Sequence, residues 1–242
     1  MSPLQISLAI IAALTLGIAK AGLKGTSILI VSFMAIAYGA KQSTGVLLPL
    51  LIVGDILAVI YYNRHAQWKI LLKFLPWMIL GVLSGVMIGK NLNEELFKNL
   101  MSIIIIISVI IMVWWERSQK NIPQKMWFAG LTGTAAGITT MVGNLAGAFA
   151  NIYFLAMRIP KHQFIGTAAW LFFIVNLFKV PFHIFSWETI DSTSLLQDAY
   201  LAPIVVIGFF IGVKIVSWFN EKAYRNFILL VTAIAALILL FS

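Results

Sequence analysis

The sequence predicts an all-α, polytopic membrane protein made of two homologous, inverted halves. Each half holds short broken or re-entrant helices plus three full spans, about 8–10 membrane segments in all. Three observations predict this class. Of the 242 residues, 61% are hydrophobic and 10% charged, with a mean hydropathy of +0.98. A soluble domain is about half apolar and about one quarter charged, so this chain lacks the polar surface to dissolve in water. Apolar stretches of near-span length recur from one end to the other. Their punctuation by glycine, proline and asparagine occurs twice.

The apolar stretches are 3–19, 25–40, 43–62, 69–89, 97–115, 126–142, 144–157, 164–185, 199–218 and 223–241. A spanning helix needs about 20 residues, with about 17–25 usual. The stretches 3–19, 25–40, 126–142 and 144–157 are short. They form two pairs, each broken at a glycine-rich joint: AKAGLKGTS at 19–27 and MVGNLAGAF at 141–149. Met1–Gly17 has no basic n-region and no small-residue cleavage site, so it reads as part of the mature protein rather than a signal peptide.

The pairing reflects an internal repeat. PWMILGVLSGVMIGKNLNEELFKN at 76–99 aligns without gaps with PIVVIGFFIGVKIVSWFNEKAYRN at 203–226, an offset of 127. Pro76, Gly81, Gly85, Asn93, Glu94 and Asn99 recur as Pro203, Gly208, Gly212, Asn220, Glu221 and Asn226. Earlier in the chain an offset of 121 places Gly22 on Gly143, Gln42 on Gln163, Gly45 on Gly166 and Asp55 on Asn176. The extra residues fall in the polar loop SWETIDSTSLLQDA. The chain is therefore read as one membrane domain, 1–242, with repeat 1 at 1–118 and repeat 2 at 124–242.

Charge orients the halves. If each half crosses an odd number of times, Arg64, Lys69, Lys73, Arg117, Lys120, Lys125, Arg158, Lys161, Lys222 and Arg225 share one side. The other side holds Lys41, Lys90 and Lys98 with the acidic loop of Glu188, Asp191 and Asp198. An even number of crossings leaves no bias. Cytoplasmic loops retain Lys and Arg, which favours inverted halves and explains the net charge of +9 without nucleic acid. Inverted repeats with broken helices are a transporter signature, with sites near the midplane. Trp68, Trp114, Trp115, Trp127, Trp187 and Trp218 fall at span ends, as an interfacial aromatic belt would.

Each joint leads through an apolar helix and a short basic turn into a Thr-containing helix start, STGVLLPLL at 43–51 and GTAAWLFF at 166–173. This order, given twice over essentially the whole chain, resembles the TauE/SafE family of sulfite exporters. The sequence departs from that pattern at Lys24 and Asn144, where the family more often has glycine. The resemblance implies a bacterial multi-pass protein of the cytoplasmic (inner) membrane that moves small sulfur-containing anions such as sulfite or sulfonates.

Polar residues inside apolar stretches carry the site expectations. Lys24, with Gly22 and Gly25 around it, is a candidate anion ligand beside exposed backbone N–H groups, or else a lysine in a cytoplasmic turn. Asp55 is the one acid inside a span and the candidate coupling residue, a proton carrier or ion ligand; the alternative is an ion pair with a lysine such as Lys24 or Lys179. Asn176, Lys179 and His183 share one helix face by their i, i+3, i+7 spacing. That face could line an anion path or hold the halves together. His183 reads as interfacial. Gly143 and Asn144, with Gly147 and Asn151, mark the second joint, where small residues also suit close helix packing. Thr44 and Thr167 open helices, where capping is the leading role and anion contact the second.

The leading function is a secondary transporter or exporter of small anions working by alternating access, with a passive anion channel of the same fold as the alternative. No Walker A motif occurs, which points to an ion gradient or the substrate's own gradient. No enzyme is expected, since no nucleophile–base pair stands out. No cofactor or metal is expected either: cysteine is absent and His65, His162 and His183 have no ligand spacing. The expected partners are a small anionic substrate and the lipid bilayer; a homodimer is compatible with the sequence.

Overall fold

The computed structural model describes residues 2–23, 26–118 and 126–218. Among these residues it is all helix, without strands. The helices are α1 (Pro3–Lys20), α2 (Ser27–Tyr38), α3 (Ala40–Tyr62), α4 (Trp68–Lys90), α5 (Glu94–Ser118), α6 (Met126–Gly143), α7 (Gly147–Ala156), α8 (Lys161–Phe185) and α9 (Ser192–Ser217). A 3₁₀ turn, Asn63–His65, links α3 to α4. By length and composition α1, α3, α4, α8 and α9 can cross a membrane. The expected last stretch, 223–241, lies outside the described residues, as do Lys24 and Gly25.

Both expected breaks are present. α1 ends at Lys20, and Gly22 then takes φ +124°, a conformation that side chains with a Cβ rarely adopt. α6 ends at Gly143, and Asn144 turns the chain with φ +55°, the left-handed region that asparagine tolerates better than most residues. Two expectations change. The stretch 3–19 was grouped with the short segments, yet α1 is 18 residues long and counts among the candidate spans. Lys41 and Gln42, expected as a basic turn, lie inside the first turns of α3, because Gly39 at φ +89° makes the whole corner from α2. The free N–H groups at the start of α3 are capped from another helix: Glu94 of α5 accepts hydrogen bonds from the amides of Ala40 and Lys41.

The tightest packing joins α4 to α6 and α1 to α9. A Cβ on Gly137 would collide with the carbonyl oxygen of Met78, and one on Gly81 with that of Thr134. A Cβ on Gly17 would collide with the carbonyl oxygen of Val205, and one on Gly208 with that of Leu14. In a membrane, lipid is as apolar as a leucine side chain, so helices associate through such close backbone contact. Trp77, Gly81 and Gly85 meet Gly133, Gly137 and Met141 in that order, so α4 and α6 run the same way. Gly17 and Ala21 meet Gly208 and Gly212 in that order, so α1 and α9 do too. Both glycine seams bring the ends of α1 and α6 inward, where α3 and α8 bury their polar faces.

Candidate functional site

A cavity of about 60 Å³ lies between the two joints. Its walls come from the last turns of α1 (Leu16, Ala19, Lys20) and α6 (Thr140) and the first turns of α2 (Ser27, Ile30, Val31) and α7 (Gly147, Asn151). Asn144 and Ala146 of the second joint, Leu47 and Leu51 of α3 and Phe172 and Asn176 of α8 complete them. At roughly 10–15 Å³ of such volume per water, this is room for a group of several waters' size. The lining is apolar on two sides, with amides, hydroxyls and one ammonium converging from the others.

That ammonium is Lys20. Its Nζ sits 2.5 Å from Asp55 Oδ1 and 5.4 Å from the centre of the Phe172 ring. Its stem crosses Gly54, where a Cβ would press on Lys20 Cγ. Asn176 Nδ2 donates to the other Asp55 oxygen, Oδ2, at 2.7 Å. Asp55 is fully buried, and both its oxygens are engaged. A buried carboxylate with a bonded cation and a bonded amide avoids most of the desolvation cost of a lone ion.

A second lysine stands behind the cavity wall. Lys179 of α8 is fully buried; its Nζ donates to Asn144 Oδ1 at 2.5 Å and to Thr140 Oγ1 at 3.4 Å. Asn144 Nδ2 donates to the carbonyl of Thr44 at 3.1 Å. The turning residue of the second joint is thus tied to α3 and α8 together. Among the described residues the one Lys–carboxylate pair within 4.0 Å is Lys20–Asp55, so Lys179 meets neutral oxygens alone.

The structure brings Asp55, Asn144, Asn176 and Lys179 together, as their types and spacing suggested. It corrects other expectations. The lysine seen bonded to the carboxylate is Lys20 rather than Lys179, because the last turn of α1 faces α3; Lys24 lies outside the described residues. Thr44 is not a helix cap and does not line the cavity. Its hydroxyl donates to the Lys41 carbonyl within α3, and only its backbone oxygen reaches the site. Thr167 likewise lies inside α8, donates to Gln163 and accepts the N–H of Gln67 at the start of α4. Gly22 and Gly143 shape the joints without lining the cavity. His183 is fully buried rather than interfacial, bonded through Nδ1 to Thr189 Oγ1 at 2.8 Å. Trp187 leaves the aromatic belt: it packs edge-on against Phe97 and donates to the Val86 carbonyl.

Sequence reasoning missed Lys20, Ser27 and Thr140, and placed Asn151 at the second joint without giving it a part in the site. One signal was available: at an offset of 120, Gly17 and Lys20 fall on Gly137 and Thr140. No group of His, Cys, Asp or Glu side chains among the described residues could hold a metal ion.

The family model for the sulfite exporter TauE/SafE matches residues 9–239, nearly the whole chain. The chain belongs to the TauE/SafE sulfite exporter family. Comparisons with curated proteins and with solved structures give no match. Membership makes this a multi-pass membrane protein of a sulfite exporter family.

Proposed function

We propose that this TauE/SafE member is a secondary transporter that exports a small anion, sulfite or an organosulfonate, across the bacterial cytoplasmic membrane by alternating access. The observation that carries this reading is the half-open cavity in which Lys20, Asn144 and Asn176 converge between two broken-helix joints. Half-helix ends leave backbone groups unpaired, and at membrane depth these persist only against protein or a water-filled space.

Two inverted halves supply the moving parts. Gly81 with Gly137 and Gly208 with Gly17 are the seams, and Gly81 and Gly208 stand at the repeat offset of 127. Each half's first helix therefore packs on a late helix of the other half. Asp55 and Asn176, at the offset of 121, bond to each other where α3 meets α8. The Asp55–Asn176 bond and both glycine seams join the two halves, whereas Lys20–Asp55 and Lys179–Asn144 each lie within one half. Rocking one half against the other therefore works on the Asp55–Asn176 bond and slides the seams while each lysine keeps its partner. Asp55 is the coupling residue: a proton on its carboxylate loosens Lys20 for the substrate.

Uptake of labelled sulfite, sulfonate, sulfate and a carboxylate into proteoliposomes, with and without a pH gradient, tests this. A transporter gives saturable, gradient-dependent flux, and Asp55→Asn removes the pH dependence. Flux that never saturates and ignores the pH gradient identifies a passive channel instead, and an unchanged pH response in Asp55→Asn removes the coupling role.

A further inference from the structure

We propose that the cavity selects its anion by charge number, taking a dianion when Asp55 is protonated and a monoanion when it is ionised. The inference rests on reading the cavity as the anion site. Lys20 lines the cavity and is paired with Asp55; Lys179 stands behind Asn144 and Thr140 and has no carboxylate within 4.0 Å among the described residues. Among the described residues, Asp55 faces the cations Lys20 from α1 and Lys179 from α8. Along their described lengths α2 and α6 carry no Asp, Glu, Lys or Arg. Glu94 of α5 caps the far end of α3, and Asp198 of α9 stands by Tyr38.

Among the described residues, two lysines stand against one carboxylate and leave one positive charge in excess. An uncompensated ion is costly in a buried, membrane-embedded site. A monoanion cancels the excess. A dianion overshoots by one charge until a proton from water joins Asp55 Oδ1, which also ends that oxygen's claim on Lys20. The neutral complexes are then monoanion with ionised Asp55, or dianion with protonated Asp55. The cavity's small volume favours one compact anion over two.

The test is equilibrium binding to the purified full chain of two labelled probes whose charge does not change with pH: methanesulfonate, a monoanion, and sulfate, a dianion. The sulfate-to-methanesulfonate affinity ratio is expected to be high at acid pH. It should fall by up to about tenfold per pH unit across the titration of Asp55. Asp55→Asn should hold the ratio high at every pH, and Lys179→Met should lose sulfate while keeping methanesulfonate. A wild-type ratio that is flat with pH overturns the inference, and so does an Asp55→Asn ratio that still falls with pH. If Asp55→Asn does not fold, the wild-type profile decides alone. Failure of both anions to bind at any pH overturns the anion-site reading as well, which separates the two failures.

Discussion

Lys20 at the first joint and Lys179 beside the second are both buried lysines within one polar network, yet they differ in what they meet. Lys20 finds a carboxylate, Asp55, which also holds the amide of Asn176. Lys179 finds an amide oxygen and a hydroxyl. The first cation is compensated by the protein, and the second is left for something else to compensate. The difference teaches where a transporter can place a ligand. A site compensated throughout would have no electrostatic need of substrate, and one with no internal counterion would have no means of release.

Removing each lysine should break this comparison in opposite directions. Lys20→Met leaves Asp55 buried without its cation and should cost about 3–5 kcal/mol, seen as a large fall in the thermal midpoint of detergent-purified protein. Little or no loss would mean that Asp55 is not relying on Lys20. Next in size come the seams. Gly137→Ala and Gly17→Ala each drive a methyl into the facing backbone and should each cost about 1–3 kcal/mol. Losses of similar size sharpen the view that the two halves are built alike; a loss at one seam alone breaks it.

Lys179→Met removes an uncompensated cation. It should leave stability unchanged or raise it by about 1–2 kcal/mol, while losing sulfate and keeping methanesulfonate. A destabilised variant would show that Lys179 has an internal counterpart. The smallest effect is expected at Thr167→Val, which removes the acceptor for the Gln67 N–H. That should cost about 1 kcal/mol without changing affinity for the anion. A change in affinity there would extend the site to the start of α4.

Much of this architecture was legible in the sequence because membrane helices advertise themselves by unbroken apolar length, and joints by glycine. Asp55 and Asn176 were legible as polar repeat-mates, and Lys179 and Asn144 as polar residues with no lipid-facing reason to be there, but the Asp55–Asn176 and Lys179–Asn144 bonds were not. What failed was finer than a helical turn. Lys20 turns inward because α1 runs on as far as that residue, and where a helix stops is something hydropathy does not register. Trp187 reads as interfacial because it lies in a polar loop, but that loop folds back over Phe97. Thr44 reads as a cap because it stands beside Gly45 at the expected opening of a helix, yet the corner at Gly39 starts α3 four residues earlier.

The central claim is that an anion occupies the cavity during turnover and that Lys179 awaits it. Counterflow tests this most directly: proteoliposomes loaded with unlabelled sulfite are diluted into labelled sulfite, and internal label is followed over time. The account expects a transient overshoot of label in the wild type and its loss in Lys179→Met reconstituted to the same density. Linear entry with no overshoot, or an overshoot unchanged by Lys179→Met, would contradict it.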